Sequence, residues 1–149
     1  MLKTMLVRIT AAGVLAATPL AYAADPVINV YKTETCGCCS AWIDHLKGNG
    51  FKVIAHDVKD PGSIRAKFGI AEKYGSCHTG VINGYAIEGH VPADTIKKLL
   101  KEKPKARGLA APGMPMGSPG MEGHGKEAYD VLLVDKKGKA STYTSHKGD

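Results

Sequence analysis

The residues best equipped for chemistry are four cysteines. Three crowd into Thr35-Cys36-Gly37-Cys38-Cys39 and the fourth lies in Gly75-Ser76-Cys77-His78-Thr79. Cys36 and Cys39 have C-x-x-C spacing, which at a helix start puts both thiols on one face, one turn apart. Free N–H groups and the helix dipole at such a position favour thiolate over thiol. Thiolate is the form that binds a soft metal or attacks a disulfide. Gly37 lets the backbone turn sharply and leaves room for something to approach. An even cysteine count in an exported protein reads by default as two disulfides. Crowding argues against that here. A disulfide needs Cα atoms roughly 4.4–6.8 Å apart with suitably aimed Cβ vectors. Once one clustered thiol pairs with Cys77, the other two face each other across a short, strained loop.

Two chemistries remain. Thiolates select Cu(I), Zn(II) or iron–sulfur clusters. Structural zinc usually takes two well-separated ligand pairs, which the compact C-x-C-C does not resemble. Close thiolates suit Cu(I), which accepts low coordination and shares bridging sulfurs. The alternative is a thiol-disulfide oxidoreductase with Cys36 and Cys39 as its redox pair. Against it, a third cysteine inside the pair's reach invites wrong disulfides. Cys77-His78 also occupies the position before the hairpin where thioredoxins usually carry a cis-proline.

Among the histidines, His78 is the first candidate as a supporting ligand and His45 the second; His56, His90 and His146 receive no role. Asp57 and Glu88 read as surface charges. No paired carboxylates or Ser-His-Asp pattern suggests hydrolysis. Met114-Pro115-Met116, Met121 and His124 lie in a stretch without helical or strand periodicity. Their thioethers and imidazole are soft ligands that survive an oxidising compartment. This stretch reads either as a lid or secondary Cu(I) capture site, or as an inert linker with incidental methionines.

The elements that must position these groups follow from the pattern. Val27 to Tyr31 is a short β-branched run that reads as a strand. A helix then begins at the cysteines, with Trp42, Ile43 and Leu46 on its apolar face, and Gly48-Asn49-Gly50 ends it. Phe51 to His56 is a second strand. Asp60 caps a second helix, with Pro61 in its first turn. Val81-Ile82 and Tyr85-Ala86-Ile87 flank Asn83-Gly84, a hairpin turn with positive φ at both central residues. Pro92-Ala93-Asp94 opens a third helix through Leu100. The predicted order is β-α-β-α-β-β-α, an α/β, thioredoxin-like layout. Residues 104–125 carry four prolines, six glycines and three methionines, which predicts a Met/Gly/Pro-rich loop. Tyr129 to Val134 and Ala140 to Thr144 then form a C-terminal hairpin, with Ser145 to Asp149 frayed.

The start of the chain reads as a leader. Lys3 and Arg8 precede an apolar run, and Ala21-Tyr22-Ala23 is a small-x-small cleavage site. The expected organisation is a signal peptide over 1–23 and a single metal-binding domain over 24–149. The mature protein is then periplasmic and not membrane-spanning, because the one long apolar run falls short of the ~20 residues a span needs. The net charge is +6, but the lysines are scattered and not interleaved with aromatics. Nucleic-acid binding is therefore not expected.

The run Val30-Tyr31-Lys32, Cys36-Gly37-Cys38-Cys39, Trp42, His45-Leu46 and Ser76-Cys77-His78-Thr79 resembles the DUF411 family. These are small bacterial exported proteins associated with copper resistance, often called CopG-like. The resemblance spans roughly Val27 to Leu100 and extends to the strand near Val131. It implies a thioredoxin-like fold and a copper–thiolate site, single or multinuclear, built from Cys36, Cys38, Cys39 and Cys77. It also implies a part in copper redox chemistry. The partners so implied are copper ions and other periplasmic copper-handling proteins.

Overall fold

The computed structural model describes residues 26–123 and 125–148. The expected leader over 1–23 and the candidate ligand His124 lie outside them. The described residues form an α/β fold of three helices and one seven-stranded mixed sheet of order β2-β1-β3-β4-β5-β6-β7. The strands are β1 (Val27–Lys32), β2 (Lys52–Asp57), β3 (His78–Ile82), β4 (Tyr85–Glu88), β5 (Ala106–Ala110), β6 (Tyr129–Asp135) and β7 (Ala140–His146). The helices are α1 (Gly37–Gly48), α2 (Pro61–Lys67) and α3 (Ala93–Glu102), with a 3₁₀ turn at Glu72–Tyr74.

Local chemistry accounts for the element boundaries. Asp60 caps α2 by accepting the Gly62 N–H at 2.9 Å, and Pro61 suits the first turn because its missing N–H would be unpaired there anyway. Asn83 and Gly84 both take positive φ, +48° and +81°, as a two-residue hairpin turn requires. That turn joins β3 and β4 with Ile82 opposite Tyr85.

The apolar stripe of α1, Trp42, Ile43 and Leu46, packs with Ile28 and Val30 of β1, Ile82 and Ile87 of the hairpin, and Ile96 and Leu99 of α3. Burying side chains of this size contributes about 1.5–3 kcal/mol each. Trp42 also satisfies its indole N–H, donating to the Val91 carbonyl at 2.9 Å. That bond ties the middle of α1 to the segment between β4 and α3.

Two expectations are corrected. Residues 104–125 are not one loop: Ala106–Ala110 form β5, an interior strand parallel to β4 and antiparallel to β6. Its small residues suit a crowded position. A β-carbon on Gly108 would run into the Ala86 carbonyl oxygen. Such a segment has no alternating apolar signature for the sequence to display. The C-terminal hairpin is also longer than predicted, because β7 runs to His146, opposite Tyr129 and stacked on its ring.

Candidate metal centre

The sheet brings the cysteines together through its register. β1 runs antiparallel to β3 with Lys32 opposite His78, so the chain leaving β1 toward the cysteine cluster lies beside Cys77 as it enters β3. Cys36 stands at the N-cap of α1 without a side-chain cap, and the first turn holds no acidic residue. The unpaired N–H groups at a helix start therefore face no competing carboxylate from that turn.

The four Sγ atoms lie within 4.8 Å of one another. Cys36 and Cys39 are joined by a disulfide, while Cys38 and Cys77 are free thiols. Cys77 Sγ is 3.5 Å from Cys39 Sγ and 4.0 Å from Cys38 Sγ, and Cys36 Sγ is 3.6 Å from Cys38 Sγ. Metal–sulfur bonds of about 2.3 Å at a tetrahedral angle give sulfur–sulfur edges of about 3.8 Å. The spacing therefore fits a soft ion once the disulfide takes up two electrons and two protons to give two thiols. Burial, reinforced by the neighbouring Cys38 sulfur, pushes the Cys77 thiol up to about 11, with the Ser76 hydroxyl opposing. An ion bound there must displace its proton.

His78 follows Cys77 into the interior. Its ring is fully buried beside Trp42, centroid to centroid 4.3 Å, with Nδ1 3.5 Å from Cys77 Sγ. Its Nε2 has no hydrogen-bond partner. Burial, helped by nearby His90, lowers its pKa to about 3, with the Gly89 backbone opposing, so the ring is neutral.

His90, given no role from sequence, is fully buried at the same site. Its Nε2 lies 3.4 Å from Cys77 Sγ and its Nδ1 pairs with the Pro119 carbonyl at 2.8 Å. The hairpin could have revealed it. A two-residue Asn83-Gly84 turn sets Ile82 against Tyr85 and Thr79 against Glu88, and continuing that count sets position 77 against 90. His45 goes elsewhere: its Nε2 accepts the Ala93 N–H at 3.1 Å, closing the start of α3.

Glu88 is not a surface charge but fully buried. Its carboxylate accepts the Ser76 N–H at 2.7 Å, the Thr79 hydroxyl at 2.6 Å and the Arg65 guanidinium at 3.1 Å. It thus clamps the residues on both sides of Cys77-His78. Asp57 is exposed as expected and pairs with Lys32 at 2.7 Å.

The Gly/Pro stretch after β5 lies against the site. Ser76 Oγ donates to the Gly113 carbonyl, and the Gly113 N–H returns a bond to the Gly75 carbonyl at 3.1 Å. A β-carbon on Gly120 would sit 2.8 Å from the Cys38 carbonyl oxygen and 2.9 Å from the Trp42 nitrogen, so only glycine lets the strap come this close. Met114 and Met116 are exposed, at 49% and 37%, and Met121 is half-buried directly after Gly120. Among the described residues no helix is long and apolar enough to cross a membrane.

Comparison with known proteins agrees with this chemistry. A family model described as "Protein of unknown function, DUF411" matches residues 74–121, the stretch carrying Cys77, His78, His90 and the strap. No curated protein matches the chain. Two solved structures, titled "Copper resistance protein copG- Form 2" and "Copper resistance protein copG- Form 1", are each 46% identical to it with a TM-score of 0.77. They cover 81% and 82% of this chain, and it covers 98% of each. With that identity over nearly the whole of both solved chains, this chain belongs to the DUF411, CopG-like family.

Proposed function

We propose that this chain is an exported, periplasmic copper-binding protein that holds Cu(I) on Cys36, Cys38, Cys39 and Cys77 for copper resistance. The observation that carries the reading is the convergence of four Sγ atoms within 4.8 Å at a helix start. Thiolates are soft donors, and low-coordinate Cu(I) is the soft ion that such compact sulfur sets suit. Sulfurs this close can bridge, which favours a multinuclear copper–thiolate cluster over a single ion. The titles of the two related structures support copper as the cargo.

On this reading the fold is thioredoxin-like, residues 1–23 are a cleaved signal peptide, and 24–149 are one metal-binding domain. His78 assists the cluster. Met114, Met116, Met121 and His124 offer a secondary capture site on the strap. Other periplasmic copper-handling proteins deliver or receive the ion.

The test is anaerobic purification followed by metal analysis. Copper retained by the native chain and lost from Cys36→Ser with Cys39→Ser supports the reading. A reduced native chain that takes up no Cu(I) overturns it.

The Cys36–Cys39 disulfide favours a second reading, a thiol-disulfide oxidoreductase. Cys77 Sγ, 3.5 Å from Cys39 Sγ, is placed to exchange with that bond. A metal-free chain that reduces a model disulfide with turnover favours this alternative.

A further inference from the structure

We propose that the end of the fold opposite the sulfur pocket is a docking surface for an anionic phospholipid bilayer. Lysines that lie apart in the sequence are gathered there by the topology. α3 starts just after His90 and runs ten residues, or about 15 Å, away from the pocket. The Tyr85 hydroxyl, at the β3–β4 turn, ties the far end of that helix by donating to the Pro104 carbonyl at 2.8 Å. β4 leads into His90, so its parallel neighbour β5 also begins at the far end. Ala106 of β5 pairs with Asp135 of β6, which sets Lys105 beside the turn that starts at Lys136. Five lysines between Lys97 and Lys105 thus share one end with three between Lys136 and Lys139. All eight are exposed, and among the described residues none of them is ion-paired.

The charge balance of this end is one-sided. Against eight lysines the two stretches hold two carboxylates, Glu102 and Asp135. Both are engaged locally. Glu102 accepts the Tyr143 hydroxyl at 2.5 Å, and Asp135 accepts the Lys137 and Lys139 N–H groups of its own turn at 2.8 and 2.9 Å. The surplus of six equals the +6 of the whole chain, so the remaining residues are neutral in sum. Lys103 is a second, independent sign. It closes α3 in the left-handed conformation, φ +49° and ψ +49°, where glycine or asparagine is the usual residue. A lysine held there against its backbone preference serves by its charge and not by the stability of the cap.

The form of the surface selects the partner. An open cleft of about 360 Å³ beside Glu34 and Asp57, and another of about 410 Å³ beside Tyr129 and His146, lie at the pocket end. Cations spread over a helix end and two turns, away from those clefts, suit a flat polyanion better than a peptide. Nucleic acid calls for free aromatic faces among the cations, and the Tyr143 ring is covered by Lys98 at 4.3 Å. A bilayer is the flat polyanion that an exported chain meets, so the choice of surface draws on the export proposed above. Lysine clusters of this size hold anionic lipid by charge alone. Docked this way, the chain turns its sulfur pocket away from the bilayer toward soluble partners.

The experiment sediments the purified chain with vesicles of phosphatidylglycerol and phosphatidylcholine, or of phosphatidylcholine alone. Binding is expected only where phosphatidylglycerol is present. It should fall as salt shortens the Debye length from about 10 Å at 0.1 M to about 3 Å at 1 M. Lys105→Gln with Lys136→Gln is expected to weaken it roughly 25-fold, at about fivefold per lysine. Lys59→Gln with Lys147→Gln makes the same charge change at the pocket end and should leave binding nearly unchanged. Lys103→Gly should hold or raise the thermal midpoint while weakening vesicle binding, a split that a merely structural lysine does not produce. No binding at low salt, or equal loss from both double variants, would overturn the proposal. Binding to polyglutamate but not to vesicles would assign this end to an acidic protein and overturn it too. Cu(I) uptake is measured separately on the same variants and should not move, so failure here is distinguishable from failure of the copper reading.

Discussion

His90 and Pro119 are tied by a 2.8 Å hydrogen bond from the ring Nδ1 to the carbonyl oxygen. That bond links the strap after β5 to the sulfur pocket. Because the carbonyl can only accept, it keeps the proton on Nδ1, so Nε2 turns its lone pair toward Cys77 Sγ, 3.4 Å away. A change in the strap is therefore felt at the sulfur pocket even where no strap side chain touches sulfur.

Gly120→Ala tests this coupling. Gly120 has φ +89°, and a β-carbon there would collide with the Cys38 carbonyl and the Trp42 nitrogen. The left-handed backbone alone costs about 1–2 kcal/mol. The strap is expected to lift off, taking Pro119 from His90 and weakening metal affinity more than the thermal midpoint falls. Competition titration beside a thermal melt checks it. Equal affinity in a folded variant would show that strap and pocket are independent.

Stability of the metal-free protein should fall on acidification. His78 is held neutral, its pKa lowered from 6.5 to about 3 by burial, and burial also lowers His90 and His45. The unfolded chain takes up these protons from about pH 6.5 downward while the folded chain resists. Stability is therefore complete above that range and is lost progressively as pH falls toward the folded values. For His78, the most deeply buried of the three, the slope reaches up to about 1.4 kcal/mol per pH unit. Urea unfolding of chelator-treated protein at pH 7.5, 6 and 5 reads the slope, which His78→Gln should flatten.

Cys77 should be a sluggish nucleophile until metal or alkali removes its proton. With its thiol pushed up to about 11, roughly one molecule in ten thousand carries the thiolate at pH 7. Alkylation of the metal-free oxidised protein, followed by mass spectrometry, should show a Cys77 rate that climbs about tenfold per pH unit through pH 10. A rate already flat at neutral pH would mean the pocket stabilises the thiolate unaided.

How much was legible depended on how local the signal was. Asn83-Gly84, Asp60-Pro61 and the Trp42 stripe are short-range rules, and each marks its element in the structure. Ala106–Ala110 was not legible, because four of its five residues are buried and three are Ala or Gly, which leaves no apolar–polar alternation to display. Glu88 and His90 are polar residues whose burial depends on partners far along the chain, Arg65 and Pro119. The four cysteines stood out by type and spacing. Their meeting in one pocket depended on β1–β3 pairing, which no local pattern displays.

The methionines of the strap make the last test, and their exposure makes it a clean one. Met114 and Met116 are exposed and Met121 is half-buried, so replacing all three with leucine removes the thioethers at a cost within about 1 kcal/mol. A lid that hands ions to the thiolates would lose its weaker capture step. Cu(I) stoichiometry per chain should drop, or uptake at low copper should slow, while the affinity of the sulfur nest stays the same. Stopped-flow uptake beside an equilibrium competition titration separates the two effects. Unchanged stoichiometry and uptake would leave the strap as the support for His90 that its Pro119 carbonyl already makes it.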